Sequence, residues 1–413
     1  QNKKTSMVDR FIRDAFRASD YQKVHRTSVG IAIPIVRHDP VFASVQKEGQ
    51  SYPKFQSWEA VPPTAPPNLG KQVTYNIPNG YPFSEIYALI PLSACTLLTY
   101  ANYVGLLMIK EVHMYSGGKP IFESFDYQTL LRGIMAELPD HLLTTLLDIS
   151  GGTGFNGIGV VTCPIITPFS RLLYAFNNAP PACPRHLLTK GDLRITLTLA
   201  SGAELLVAGG TGGGLTGDDI TLYLHTIHIP DEVSVAHQSL ADNWTLSSIE
   251  PTSERFASTN NLQETHNLNN FRGEITRFSF QLLKQSDVAT AQNVLFVMQQ
   301  INKELALKSD GIKIYDTLAL TSSSIELIVA TQRFLTSSIS QQSDTTLARP
   351  YIIDYGDGTL SPNLTGVFNT SDIGNLQLVV NQSQAAANCY LYVLAFMRMN
   401  LSIKNGALVR HFD

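Results

Sequence analysis

The chain has 413 residues, of which 44% are hydrophobic and only 15% charged, with a net charge of −4 and a mean hydropathy near zero. That length suits two domains of about 150–200 residues each, and the composition excludes a disordered chain. No basic excess marks it as a nucleic-acid binder, so no sequence-specific nucleic-acid binding is expected, and the low charge fraction fits either a surface covered by partners or large β-sheets.

The N-terminal stretch, residues 1–28, stands apart as an arm. In "SMVDRFIRDAFRASDYQKVHR" the residues Val8, Phe11, Ile12, Ala15 and Phe16 share one helical stripe, with Arg10, Arg13 and Arg17 facing elsewhere. This is a short amphipathic, net-basic helix, suited either to a membrane surface or neighbouring subunit or to packing on its own domain. Residues 49–70 follow as a proline-rich entry segment that cannot be a helix or a central strand.

From about residue 71 the pattern becomes β. "KQVTYNIP", "SEIYALIPL", "VGLLMIKEVHMYSGGKPIFES", "VVTCPIITPF", "DLRITLTLA" and "DITLYLHTIHIP" are rich in β-branched and aromatic residues and are separated by Gly, Pro and Asn. "FDYQTLLRGIMAEL" is the one helix expected among them. Residues 241–262 form a polar linker, after which "EITRFSFQLL", "NVLFVMQQI", "SSIELIVATQRF", "NLQLVVNQ" and "CYLYVLAFMRMNLSI" resume the strand pattern. Two strand sets, 29–240 and 263–413, predict an all-β protein of two tandem sandwiches or jelly rolls.

Two glycine runs imitate a phosphate cradle. Gly152, Gly154 and Gly157 match G-x-G-x-x-G, and so do Gly212, Gly214 and Gly217. A dinucleotide fingerprint works where a strand turns into a helix, because the helix N-terminus supplies the amides that hold the anion. Both runs lead instead into strand-like sequence, so they are expected to be mobile inter-strand surface loops, the second closed by Asp218 and Asp219.

Other chemistry is sparse. Cys95, Cys163, Cys183 and Cys389 form no C-x-x-C pair and have no histidine at zinc-ligand spacing, which reads as buried thiols in a reducing compartment. His225 and His228, three apart on a strand, face opposite sides. "DYGDG" (354–358) lacks the later ligands of a calcium loop and reads as a turn. Five N-x-S/T sequons begin at Asn243, Asn363, Asn369, Asn381 and Asn400 and matter only if the chain meets a glycosylation machinery. No catalytic or metal constellation and no cofactor are expected.

Several collinear phrases over roughly residues 70–413 carry a family resemblance. "VGLLMIKEVHMYSGGKPI", with Gly105, Ile109, Val112, Gly117, Gly118 and Ile121, resembles the opening of the first jelly roll in major capsid proteins of nucleocytoplasmic large DNA viruses and their virophage, tailless-phage and adenovirus-hexon relatives. "PFSRLLYAFNNAPPACPRHLLTKGDLRITLTL" resembles a later strand–turn–strand of that family, and Gln332, Arg333 and Phe334 end a segment like its polar–Arg–aromatic one. Gly366, Asn369, Ser371, Ile373 and Leu376 fit its S-G-x-x-N-x-S-x-I phrase, although Thr365 replaces a usual Ser and Thr370 a common aromatic. Asn400, Gly406, Leu408 and Phe412 match its terminal strand pair.

The resemblance implies a non-enzymatic shell protein with two eight-stranded jelly rolls. Three chains would form a pseudo-hexameric trimer that contacts neighbouring capsomers, penton and minor capsid proteins, in a virion assembled in the host cytoplasm or nucleus. Arg10, Phe11, Arg13, Phe16 and Arg17 would then lie beneath the tile, facing an internal membrane or minor proteins. The alternatives are a tandem jelly-roll enzyme, such as a glycan amidase or a copper monooxygenase, and a carbohydrate-binding protein.

Overall fold

The computed structural model describes residues 55–135, 138, 140–174, 182–189, 192–207, 209–216, 220–229, 234, 238, 241, 244–257, 262–285, 304–316, 351–355, 367–381 and 389–411. The first half contributes β1 (Phe55–Val61), β2 (Gln72–Ile77), β3 (Phe83–Leu92), β4 (Ile109–Ser116), β5 (Lys119–Ser124), β6 (Gly159–Pro164), β7 (Leu193–Leu199) and β8 (Thr221–His228). They form two four-stranded sheets, ordered β1-β8-β3-β6 and β2-β7-β4-β5. Every pairing is antiparallel. The pairings nest: the first strand lies beside the last, the second beside the seventh, the third beside the sixth and the fourth beside the fifth. A long hairpin folded over on itself in this way is a jelly roll.

Alternation dictates which faces meet. Ile86, Ala88, Ile90 and Leu92 of β3 and Leu193, Ile195, Leu197 and Leu199 of β7 all point into the core between the sheets. Strand β1 falls inside the proline-rich entry segment and lies at a sheet edge, the place where such a segment can still pair.

Four short helices punctuate the described part of this half: α1 (Val104–Leu107), α2 (Tyr127–Met135), α3 (Asp140–Ile149) and α4 (Gly202–Leu205). Helix α2 is the one expected from sequence, and Asp126 caps it by accepting from the Thr129 amide (3.1 Å) and hydroxyl (2.6 Å). Helix α3 corrects the expectation of a single helix. Its apolar pairs, Leu142–Leu143 and Leu146–Leu147, recur at helical spacing, but a ten-residue run between β segments is easily absorbed into the strand reading.

The second half contributes β9 (Thr245–Ala257), β10 (Gln263–Asn267), β11 (Glu274–Lys284), β12 (Glu304–Ser309), β13 (Ile312–Asp316), β14 (Tyr351–Asp354), β15 (Phe368–Asn369), β16 (Leu376–Asn381), β17 (Cys389–Lys404) and β18 (Ala407–His411). One sheet runs β10-β16-β12-β13. The other runs β14-β11-β17-β18, with β15 added to β11 and β9 to β17.

Strand β9 corrects the linker reading of 241–262. It pairs with β17 over thirteen residues, from Thr245↔Ser402 to Ala257↔Tyr390. Its pattern is hard to read because two of its buried positions are Ser248 and Glu250, and because Pro251 sits mid-strand, as an edge strand permits.

Three hairpins close with residues in the left-handed region: Gly117–Gly118, Asp310–Gly311 and Asn405–Gly406. Paired positive φ values are what a two-residue type I′ turn requires. The same requirement accounts for Gly117, Gly118 and Gly406 in the family phrases.

Strand β17 is a wall shared by two cores. Leu391, Val393, Ala395 and Met397 pack into the core of the second half, while Leu394, Phe396, Met399, Leu401 and Ile403 join that of the first. A strand buried on both faces reads as a nearly unbroken apolar run, which is the character of "CYLYVLAFMRM".

Candidate assembly surfaces and the interbarrel junction

The sequence-predicted site residues Arg10, Phe11, Arg13, Phe16 and Arg17 lie outside the described residues. The two glycine runs are described in large part, and they converge. Both zip onto the segment that links β3 to β4. From the first run, the carbonyls of Ser150, Gly152, Phe155 and Asn156 accept from the amides of Gly105 (2.9 Å), Tyr103 (2.7 Å), Tyr100 (2.9 Å) and Cys95 (3.1 Å). From the second, Thr211 exchanges backbone bonds with Thr96 and Leu97, and Gly214 accepts from the Ser93 amide (2.9 Å).

The Tyr100 hydroxyl accepts from the Gly214 amide (2.8 Å) and donates to the Ser93 carbonyl (2.7 Å). A Cβ on Gly212 would lie 1.9 Å from Thr96 Oγ1, and one on Gly213 2.9 Å from the Tyr100 ring. Gly212 and Gly213 therefore permit the second loop to dock closely on this segment, whereas Gly152, Gly154 and Gly157 of the first have open space where a Cβ would stand. Each run is followed by a strand, β6 or β8, so neither offers the helix N-terminus that an anion site of this kind needs.

Polar contacts hold the two halves together. Arg132 on α2 is buried and donates through Nε to Gln281 Oε1 on β11 (2.7 Å) and through Nη2 to Thr129 Oγ1 (2.6 Å). Gln281 returns a bond from Nε2 to the Thr129 carbonyl (3.2 Å), and the Tyr392 ring lies under the guanidinium with its centroid 5.2 Å away. Burial pulls the Arg132 pKa down, with the nearby Asp126 opposing that shift.

A second junction sits at β18. Arg410 donates to Glu250 on β9 and, at 3.1 Å, to Glu123 on β5, while the Leu408 amide donates to Ser116 Oγ on β4 (3.0 Å). A cavity of about 280 Å³ opens beside it. Sequence reasoning missed Arg132, Gln281, Glu123, Glu250 and Arg410. Their partners lie more than a hundred residues away, so no local pattern pairs them.

Another buried cation, Arg185, fastens the β2–β3 turn to edge strand β1. It bonds Glu59 and the carbonyls of Tyr81 and Pro78, the last at 3.1 Å. His225 and His228 go to separate partners: His225 to Ser84 Oγ (3.2 Å) and the Trp58 ring, His228 to Ser57 Oγ (2.7 Å) and the Tyr81 ring.

The four cysteines are free thiols. Cys163, Cys183 and Cys389 are buried, and burial pushes the Cys163 and Cys183 pKa values far above the usual thiol range. Among the described residues no group of three His, Cys, Asp or Glu side chains is placed to hold a metal ion. No described helix is long and apolar enough to cross a membrane.

Some exposed apolar side chains lie on sheet edges: Val160 (58% exposed) on edge strand β6, with Ile158 (78%) just before it, and Ile312 (72%) and Ile314 on edge strand β13. Open edges with outward apolar residues are prone to association. Of the sequons, Asn369 is exposed, Asn381 and Asn400 are half-buried at strand positions, and Asn243 and Asn363 lie outside the described residues.

No family model and no curated protein matches the chain by sequence. Solved structures do match. PBCV-1 VP54, fitted into a reconstruction of the virophage Sputnik, superposes with a TM-score of 0.66 at 12% identity, covering 88% of this chain and 98% of that one. The Faustovirus major capsid protein gives 0.62 at 11% identity, covering 96% and 98%. The mavirus major capsid protein gives 0.50 at 12% identity, covering 86% and 90%. Nested strand pairing in one half, a second two-sheet half joined to it by β17, and these superpositions lead to one conclusion: the chain has the double jelly-roll fold of viral major capsid proteins.

Proposed function

We propose that this chain is a major capsid protein whose trimers tile an icosahedral shell around a DNA genome. The observation that carries the reading is the pair of jelly rolls fastened side by side through β17, Arg132 and Arg410 over nearly the whole length of the capsid proteins it superposes on. Three such double barrels give six barrels in a pseudo-hexagonal tile. A permanent trimer buries well over ~2,000 Å² per interface and covers open edges such as β6 and β13. Neighbouring capsomers, penton and minor capsid proteins are the partners this reading requires, and residues 1–28, with Arg10, Phe11, Arg13, Phe16 and Arg17, face an internal membrane or minor proteins.

Light scattering and negative-stain imaging of the purified chain test the reading. The expected result is a trimer with a hexagonal outline that resists dilution; a stable monomer at micromolar concentration overturns it. Deleting residues 1–28 is expected to leave the trimer intact while impairing shell assembly or liposome binding. Normal assembly of the deletion variant would show that the arm only packs on its own domain.

A further inference from the structure

The β18 junction places two carboxylates around one guanidinium. Glu250 is 6% exposed, and with both carboxylates ionised the cluster carries an uncompensated negative charge in a poorly solvated site. The groups that face Glu250 are Arg410 from β18 and Glu123 from β5; across the ladder on β17 its partner is the apolar Met397. Beyond Glu123 stands His113 of β4, whose Nδ1 lies 3.9 Å from the Glu123 carboxylate. Arg398 of β17 is engaged by Glu274 of β11 (3.2 Å), and Asn270 donates to Glu254 farther along β9 (3.0 Å). The adjoining cavity, lined by Glu123, Phe125, Glu250, Ser253, Met397 and Arg410, gives water a route to the cluster.

We propose that Glu123, Glu250 and Arg410 form a proton-binding clasp between the barrels, closed when Glu250 holds a proton and loosened at β18 when that proton leaves through the cavity. Burial lifts the Glu250 pKa from its ordinary 4.5 to about 7; Arg410 opposes the lift, the Glu123 charge adds to it and a hydrogen bond with the Glu123 backbone opposes it. An opened junction exposes Glu250 and returns it to its ordinary value. The closed form therefore holds the proton more tightly, gains as pH falls from 7 toward 4.5 and loses as pH rises through 7. Rising pH is the loosening direction, and the loss is complete once Glu250 has ionised in the closed form.

The test uses the full chain and the variants Glu250→Gln, Glu123→Gln and His113→Asn. Amide exchange of residues 407–411, corrected for intrinsic exchange rates, is followed from about pH 5 to about pH 9, together with the infrared band of a protonated carboxyl. In the unaltered chain, the band is expected to vanish with a midpoint near 7, and protection of β18 to fall up to about that pH and level off above it. Glu250→Gln, which keeps the shape but has no proton to lose, flattens the profile and abolishes the band. Glu123→Gln moves the midpoint down, and His113→Asn leaves it in place. The proposal is overturned if Glu250→Gln keeps the original pH profile, if Glu123→Gln leaves the midpoint unmoved, or if His113→Asn flattens it. Should Glu250→Gln fail to fold, the midpoint in Glu123→Gln decides alone.

Discussion

Thr370 and Gly212 show how single residues serve close backbone approach in this fold. At Thr370, where the capsid family often carries an aromatic, the buried hydroxyl accepts from the Gly273 amide (3.1 Å) and donates to the Phe271 carbonyl (2.7 Å). A small polar side chain thus stitches the start of β11, and a ring has no place on that path. Gly212 combines a φ of +86° with a Cβ position already filled by Thr96. Gly212→Ala is expected to destabilise the protein by about 2–4 kcal/mol, through both conformational strain and the clash. Gly154→Ala, at similar φ but with open space around its Cβ, should lose only about 1 kcal/mol. Chemical denaturation of the two variants measures the difference, and equal losses would remove the docked-loop explanation. The spacing of these glycines was plain in the sequence. The purpose of Gly212 was not, because Thr96 arrives from a segment more than a hundred residues earlier.

Helix α2 joins the scales of element and molecule. Its Tyr127 hydroxyl donates to the Pro164 carbonyl at 2.5 Å and accepts from the Ile166 amide at 2.9 Å, tying the helix to the end of β6 in a fully buried site. Tyr127→Phe leaves a buried carbonyl and a buried amide without these partners and should cost about 2–3 kcal/mol. Urea unfolding checks this, and an unchanged midpoint would mean that water replaces the hydroxyl. Elements with clean period-2 alternation, such as β3, β7 and β8, were legible from sequence, as was α2. Others were not, and three show why. Strand β1 hid in a proline-rich stretch, β9 buries a serine and a glutamate, and α3 is short and nearly all apolar on one side. Each departs from its simple pattern because its neighbours, and not its own periodicity, decide which face is covered.

At the scale of the whole molecule, the tandem β architecture was visible in the order of the strands, but the coupling between the halves was not. The sequence suggested two sandwiches joined by a linker; instead β9 and β17 run along both cores and Arg132 crosses from one half to the other. Such sharing removes the usual independence of tandem domains. Heat unfolding of the trimer-free chain is expected to show one transition, with tryptophan fluorescence and circular dichroism coincident. Trp58 and Trp244 both belong to the first half, so two separated steps by these probes would mean that the halves melt apart.

The position of β17 along the chain has a further consequence for synthesis. All eight strands of the first barrel have left the ribosome by residue 228, yet the partners that cover its outer face and complete the second barrel come from residues 389–404. The nascent first barrel must therefore wait with α2 and its neighbours uncovered while about 160 more residues are made at ~5–20 residues per second. Arrival of one late strand then closes both cores together. Any surface that a chaperone or a second nascent copy meets during that interval is one the finished protein no longer displays.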